Sequence, residues 1–314
     1  MLIFVPIEMT VFFKIIRWPN VLMTVLTQLV IIYGLLIPSN VVPSLNLWQL
    51  VLLIVATALL TASGNVINDI FDVEIDKVNK PEKLLVSKSI SEKNAYNLYF
   101  VLTILAVGCG FILSNSIDRP IFSSVFIVVA FLLYLYASSL KAMLLVGNVV
   151  ISILVALVIL ITGVFELFPS ITPETQTTYR FLMERLLEFA LMAFLINLIR
   201  EWVKDCEDVN GDKIGGRNTL AIVLGRTRAA KIIAVCILGI VILIGWYVYE
   251  YIYVNDLATY YFIFLIMGPL MFVMIKLWTA QTSKEFHLLS TILKVVLLLG
   301  ILSIGIFRIN YYFN

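Results

Sequence analysis

The chain has 314 residues, of which 61% are apolar and only 13% charged, and its mean hydropathy is +1.04. Soluble globular proteins carry about 25% charged residues, so this composition excludes a water-soluble domain and describes a polytopic membrane protein. A net charge of +2 implies no nucleic-acid or acidic partner, and the charges have to be read loop by loop.

Cys109, Cys206 and Cys236 fall at no metal-ligand or CxxC spacing and read as free thiols. The first long apolar stretch is long enough to span and does not read as a cleavable leader or targeting peptide. Runs of about 20 apolar residues predict nine helices, near 16–37, 48–71, 95–114, 120–138, 142–164, 182–203, 229–250, 258–278 and 289–310. Such helices satisfy their own backbone hydrogen bonds in lipid, so the expected fold is all-α. It forms one domain of two pseudo-repeated four-helix units, about 11–138 and 142–278, plus a ninth helix at 289–310.

Basic residues set the orientation. Lys14, Arg17, the lysines between 77 and 93, Lys141, the basic run from Lys204 to Lys231, Lys276 and Lys284 share one side, against Arg119, Arg180, Arg185 and Arg308 on the other. The expected placement is an integral protein of the cell membrane, with the N-terminus and the 2–3, 4–5, 6–7 and 8–9 connections cytoplasmic.

In chain order, helix 1 opens with "RWPN", Arg17 to Asn20. Helix 2 ends in "NVINDIFDVEIDKVNKPEK", residues 65 to 83, with five carboxylates. Asn68, Asp72 and Asp76 recur at i+4, so a continuing helix carries them as one stripe, with Asn65, Asp69 and Glu74 on neighbouring faces. Oxygen ligands gathered at a membrane boundary suit a hard divalent cation such as Mg²⁺, which takes one or two carboxylates, water and phosphate oxygens. A lone stripe of this kind is equally a solvated helix end.

Opening helix 5, "YLYASSLKAMLLVGN" spans residues 134 to 148. Helix 6 then ends in "NLIREWVKDCEDVNGDKIGGRNTLAIVLG", where Asn197, Glu201, Asp205, Asp208 and Asp212 form a second stripe on the same side of the membrane. Two acidic stripes facing one cavity repel each other and are costly to desolvate unless counter-cations are present. That argues for a site taking Mg²⁺ ions and one diphosphate. Helices 7 to 9 add hydrophobic length. His287 lacks partners at ligand spacing and reads as interfacial, and Glu184 with Glu188 reads as a solvated face.

Together, "RWPN", the two aspartate-rich stretches and "YLYASSLKAMLLVGN" resemble the UbiA superfamily of intramembrane prenyltransferases. The resemblance implies ionisation of an isoprenyl diphosphate held through Mg²⁺ and passage of the prenyl group to a lipid-soluble acceptor within the membrane lipids. It implies catalytic roles for Asp72, Asp76, Asp208 and Asp212, and a metal set of those four with Asn68 and Asp205. Lys141, Arg200, Arg17, Asn20, Tyr136 and Asn68 are the implied substrate-binding residues. A positive-inside anchor is the plainer reading of Lys141, and pairing with a helix-end acid that of Arg17 and Arg200. Phe71, Tyr134 and Tyr136 lie at depths suited to an aromatic wall around an allylic cation.

The stretches from 62 to 83 and 200 to 225 look most like the branch that builds ether lipids, in which geranylgeranyl diphosphate alkylates the sn-2 hydroxyl of geranylgeranylglyceryl phosphate. Aromatic acceptors of the quinone or homogentisate type are the alternative. Cation or proton transport is more remote, because the acids gather at helix ends instead of mid-span, and the signature of CDP-alcohol phosphotransferases is absent. One departure stands out: residues 83 to 88, KLLVSK, keep only the serine of the family's Pro-Ile-Pro-Ser-Gly-like turn, so the 2–3 loop is expected to be less rigidly turned.

Overall fold

The computed structural model describes residues 8–82 and 84–306. Lys83, Arg308 and the end of the ninth predicted span lie outside the described residues. The helices in chain order are α1 (Met9–Ile15), α2 (Trp18–Val30), α3 (Leu47–Phe71), α4 (Val73–Asn79), α5 (Glu92–Ser116), α6 (Ser123–Ser138), α7 (Val146–Leu167), α8 (Gln176–Ile214), α9 (Leu220–Leu224), α10 (Arg226–Tyr247), α11 (Asp256–Tyr261), α12 (Gly268–Leu277) and α13 (Ser283–Ser303). No sheet forms among the described residues.

Eight helical segments are long and apolar enough to cross a membrane. The sixth predicted span, 182–203, lies inside α8 but does not pass on apolarity, because Glu184, Arg185 and Glu188 sit towards one end and Arg200 and Glu201 towards the other. At 1.5 Å per residue, the 39 residues of α8 reach well beyond a hydrocarbon core of about 30 Å. Its surplus length carries the second acidic stripe into the polar boundary. Helices α7, α13, α10 and α4 all lie against α8, and Glu201, near one end of the span, is buried.

Local signals set the helix starts. Asn46 and Gln49 form a reciprocal capping box on α3, as Thr282 and Glu285 do on α13, each satisfying orphan N–H groups. Pro19 sits in the first turn of α2, where its missing N–H costs nothing.

One expectation is corrected near the site. Helix 2 does not run on through its acids: α3 stops at Phe71, Asp72 takes a turn conformation (φ −91°, ψ 0°), and α4 carries Asp76. The 2–3 loop forms a hydrogen-bonded turn without the prolines of the family's turn. Ser87 adopts a left-handed φ of 69°, and the Ser87 N–H donates to the Ile90 carbonyl at 2.9 Å. Val86 and Ile90 are buried against α1, α3 and α5.

The membrane-buried half packs closely. A Cβ on Gly110 of α5 would enter the ring of Phe126 on α6, whereas one on Gly108 would meet nothing within 4 Å. Gly110→Ala is therefore expected to destabilise by about 1–3 kcal/mol through overpacking. Gly108→Ala should be neutral or gain up to about 1 kcal/mol of helix propensity. Paired thermal melts in one detergent check the contrast, and equal melting temperatures for the two variants would contradict the packing.

Candidate active site

The first stripe survives the break at Asp72. The Asp72 N–H still donates to the Asn68 carbonyl (3.0 Å), and the Asp76 N–H to the Asp72 carbonyl (2.8 Å), so the three side chains stay one turn apart. Asp72 is 5% exposed. It accepts from Asn68 Nδ2 at 2.8 Å and pairs with Lys141 and Arg217. Burial pushes its carboxyl up, but the ammonium and guanidinium outweigh that and hold it well below the usual carboxylate range. Asp76, without such a partner among the described residues, is pushed up to about 6 by burial and by the charges of Asp72 and Asp69.

Three elements converge on these acids. Lys141 sits in the turn between α6 and α7, which α7 can approach because residue 147 is glycine: a Cβ there would lie 2.7 Å from the Lys141 Cα. The Asn218 N–H donates to the Ala142 carbonyl at 3.0 Å, docking the segment after α8 on that turn. Arg217 is thereby placed to bond both Asp72 and, at 3.0 Å, Asp212. Lys141 also donates to Asn68 Oδ1 at 2.8 Å and lies 5.9 Å from the centre of the Tyr136 ring.

On α8, Asp208 pairs with Lys80 at 2.8 Å, and Asp205 accepts from Asn148 Nδ2 at 3.2 Å. Asn79, the last residue of α4, clamps the two stripes together. It accepts from the Gly211 N–H at 2.8 Å and donates to the Asp208 carbonyl at 2.9 Å. Only glycine at 211 leaves room, since a Cβ there would collide with the Asn79 amide.

A second group of polar residues faces the same space. Arg17 pairs with Asp69, Lys294 donates to Asn20 Oδ1 at 2.7 Å, and Glu201 holds both Arg200 at 2.7 Å and Lys204 at 3.2 Å. All eleven residues for which the sequence implied catalytic, metal or substrate-binding roles line one cleft of about 610 Å³. A chamber of about 260 Å³ shares Asn68, Tyr136 and Lys141 with it and continues between apolar side chains such as Leu154, Leu297 and Ile301.

Among the described residues, no three His, Cys, Asp or Glu side chains converge as a ready-made metal cluster. Mg²⁺ asks for less, one or two carboxylates completed by water and phosphate oxygens. Among the described residues Asp76 has no hydrogen-bond or ion-pair partner and Asp205 only an amide, so both are hard oxygen donors without a cation of their own there. The donor set fits such an ion.

Four sequence readings change. Phe71 and Tyr134 pack on each other, edge to face with centroids 6.0 Å apart, and line neither cavity, leaving Tyr136 as the aromatic wall. His287 has a partner, Glu207 Oε1, at 3.0 Å. Glu188 accepts from the Tyr247 hydroxyl at 3.0 Å and pairs with the largely buried Arg185, so it is not a solvated face. Arg217, Asn79, Asn148 and Lys294 were not identified from the sequence. Lys294 alone carried a signal, as a single cation inside an apolar span.

The profile of the UbiA prenyltransferase family matches residues 27–307. The chain is 31% identical over 308 residues to a digeranylgeranylglyceryl phosphate synthase of Methanobrevibacter smithii, covering 96% of this chain and 100% of that one. It is 35% identical over 226 residues to the synthase of Thermococcus kodakarensis, covering 72% and 73%. Among solved structures, one of digeranylgeranylglyceryl phosphate synthase superposes with a TM-score of 0.65 at 25% identity, covering 96% of this chain and 98% of that one. A UbiA homologue from Archaeoglobus fulgidus bound to DMAPP and Mg²⁺ superposes with a TM-score of 0.58 at 16% identity, covering 93% and 99%.

The Asn79 clamp yields a direct expectation. Asn79→Ala leaves the Gly211 N–H and the Asp208 carbonyl without partners, which should cost about 1–3 kcal/mol, and Gly211→Ala should cost a similar amount by expelling the same amide. Because both changes remove one contact, their effects should be far from additive. A double-mutant cycle on melting temperature tests this, and simple additivity would rule out the clamp.

Proposed function

The chain belongs to the UbiA prenyltransferase family, and from that premise we propose that it transfers a geranylgeranyl group from its diphosphate to the sn-2 hydroxyl of geranylgeranylglyceryl phosphate, with the cleft on the cytoplasmic side of the membrane. The observation that carries this reading is the opposition of two acidic helix ends, α3–α4 and α8, across a cleft that opens into an apolar chamber. The acceptor is the one that the names of the archaeal relatives imply. The two acidic ends also support reading the chain as two four-helix units plus a ninth helix in a single domain.

The reaction breaks the allylic C–O bond, the electron pair leaving with the diphosphate. The acceptor oxygen then bonds to the prenyl carbon and releases its proton. Asn68, Asp72, Asp76, Asp205, Asp208 and Asp212 would hold Mg²⁺, which supplies positive charge against the leaving diphosphate. Lys141 and Arg217 add fixed positive charge at the same place. When a diphosphate enters, its oxygens compete with Asp72 for these two cations, so the salt links described above become contacts to substrate. Arg217 suits this exchange because its planar fork bonds two oxygens at once. The Tyr136 ring and the apolar chamber keep water from the prenyl carbon while it carries positive charge.

Asp72→Ala and Asp208→Ala should each lower turnover by about 10²–10³. Glu184→Ala, which removes an exposed pair with Arg180, should change little. Turnover of labelled geranylgeranyl diphosphate in nanodiscs measures this, and full activity in Asp72→Ala would contradict its role. The acceptor is tested separately by offering geranylgeranylglyceryl phosphate beside homogentisate and hydroxybenzoate. Product from the glyceryl phosphate alone is expected. Prenylation of the aromatic acids instead would overturn the acceptor while leaving prenyl transfer in place.

A further inference from the structure

The aspartate stripes account for Lys80, Lys141 and Arg217, each of which pairs with one of their carboxylates. A second set of cations is left over. Arg200 gives one terminal nitrogen to Glu201, and its Nε is buried with no hydrogen-bond partner. Lys204 leans on that same Glu201. Lys294 lies within α13, donates only to the neutral amide of Asn20, and among the described residues has no carboxylate in ion-pair range. Arg200 and Lys204 thus share one carboxylate, and Lys294 has none among the described residues. Arg17 is not free to join them, being held by Asp69.

Unbalanced positive charge at the edge of a membrane span is costly, and an idle buried guanidinium N–H adds to that cost. An anion bound between these side chains would remove both costs. Arg200, Lys204 and Lys294 line both the 610 Å³ cleft and the 260 Å³ chamber, whose walls also include Met23, Leu297 and Ile301. Cations beside apolar walls fit an amphiphile with an anionic head and a prenyl tail.

We propose that Arg200, Lys204 and Lys294, with Asn20, form a second anion site, separate from the diphosphate site, that holds the phosphomonoester of the acceptor. This rests on the prenyl-transfer reading above and deepens it. The site selects a prenylglyceryl phosphate over an uncharged alcohol or phenol, and it places the head group beside the acid-lined cleft. Lys294 is its specificity-determining residue, because no carboxylate competes for its charge.

The test uses the full chain in nanodiscs and two readouts. First, equilibrium binding of geranylgeranylglyceryl phosphate, of geranylgeranylglycerol and of inorganic phosphate is measured without Mg²⁺ or donor. Lys294→Gln should weaken the phosphorylated lipid by about 10- to 100-fold, the worth of one charged hydrogen bond, and leave the alcohol unchanged. Lys294→Arg should restore most of the loss, and an unchanged melting temperature would separate the effect from misfolding. Second, steady-state kinetics should show the acceptor KM raised and the donor KM unmoved. Equal binding of both lipids by wild type and Lys294→Gln, or a loss confined to the donor, overturns the site. Inorganic phosphate binding as tightly as the lipid overturns it in favour of a free-phosphate site. Binding through Lys294 without prenyl transfer to that lipid leaves the anion site standing and defeats the assigned reaction. Transfer with no effect of Lys294→Gln does the reverse.

Discussion

Arg217 bonds Asp72 at the end of one transmembrane helix and Asp212 at the end of another, and the rest of the site depends on that bridge. Both carboxylates are nearly inaccessible, at 5% and 3% exposure. Two buried like charges facing each other would drive the halves of the bundle apart without a cation between them. The guanidinium meets both because its planar fork presents several donors in fixed directions, and Lys141 supplies a second positive charge from a different loop. Four separate segments, the ends of α3 and α8 and the loops that follow α6 and α8, are thereby held around one cleft.

The same arrangement explains how a membrane protein tolerates so many ionisable groups. The acids of the stripes are offset by a cation from another element, as with Asp208 and Lys80, or from their own helix, as with Glu201, Arg200 and Lys204, while Asp76 and Asp205 line the cleft. The unpaired members are the ones with oxygens to spare for a ligand. Below the charged layer threonines such as Thr24, Thr57 and Thr61 alternate with apolar side chains such as Leu154, Leu297 and Ile301, so the lining becomes less polar with distance from the boundary. Dryness protects an allylic cation, and the charged rim anchors the groups that leave or steer it.

Rigidity at the rim comes from small features. Gly147 and Gly211 each admit a close neighbour, the Lys141 turn in one case and the Asn79 amide in the other. Asn79 draws an N–H and a carbonyl of α8 into its own side chain, so α4 moves with α8 even though α4 is only seven residues long. The clamp thus fixes the distance between the two stripes, which local helix propensity cannot do.

The sequence by itself determined the solvent, the helical class and the chemistry of the stripes. Lipid forces helices on a chain this apolar, and carboxylates at i+4 share a face wherever a helix forms, so the stripes of Asp72 and Asp76 and of Asp208 and Asp212 were legible from spacing, while their roles came from the family resemblance. It did not determine where helix 2 turns: the break falls at Asp72, whose partners Lys141 and Arg217 come from distant segments that no local pattern encodes. Nor did it reveal the bridging role of Arg217, the pairing of His287 with Glu207, or the charge imbalance around Lys294. Arg217 lies 145 residues from Asp72 and Lys294 lies 274 residues from Asn20. Pairing between groups that far apart is a property of how the helices pack, and only the tertiary structure decided it.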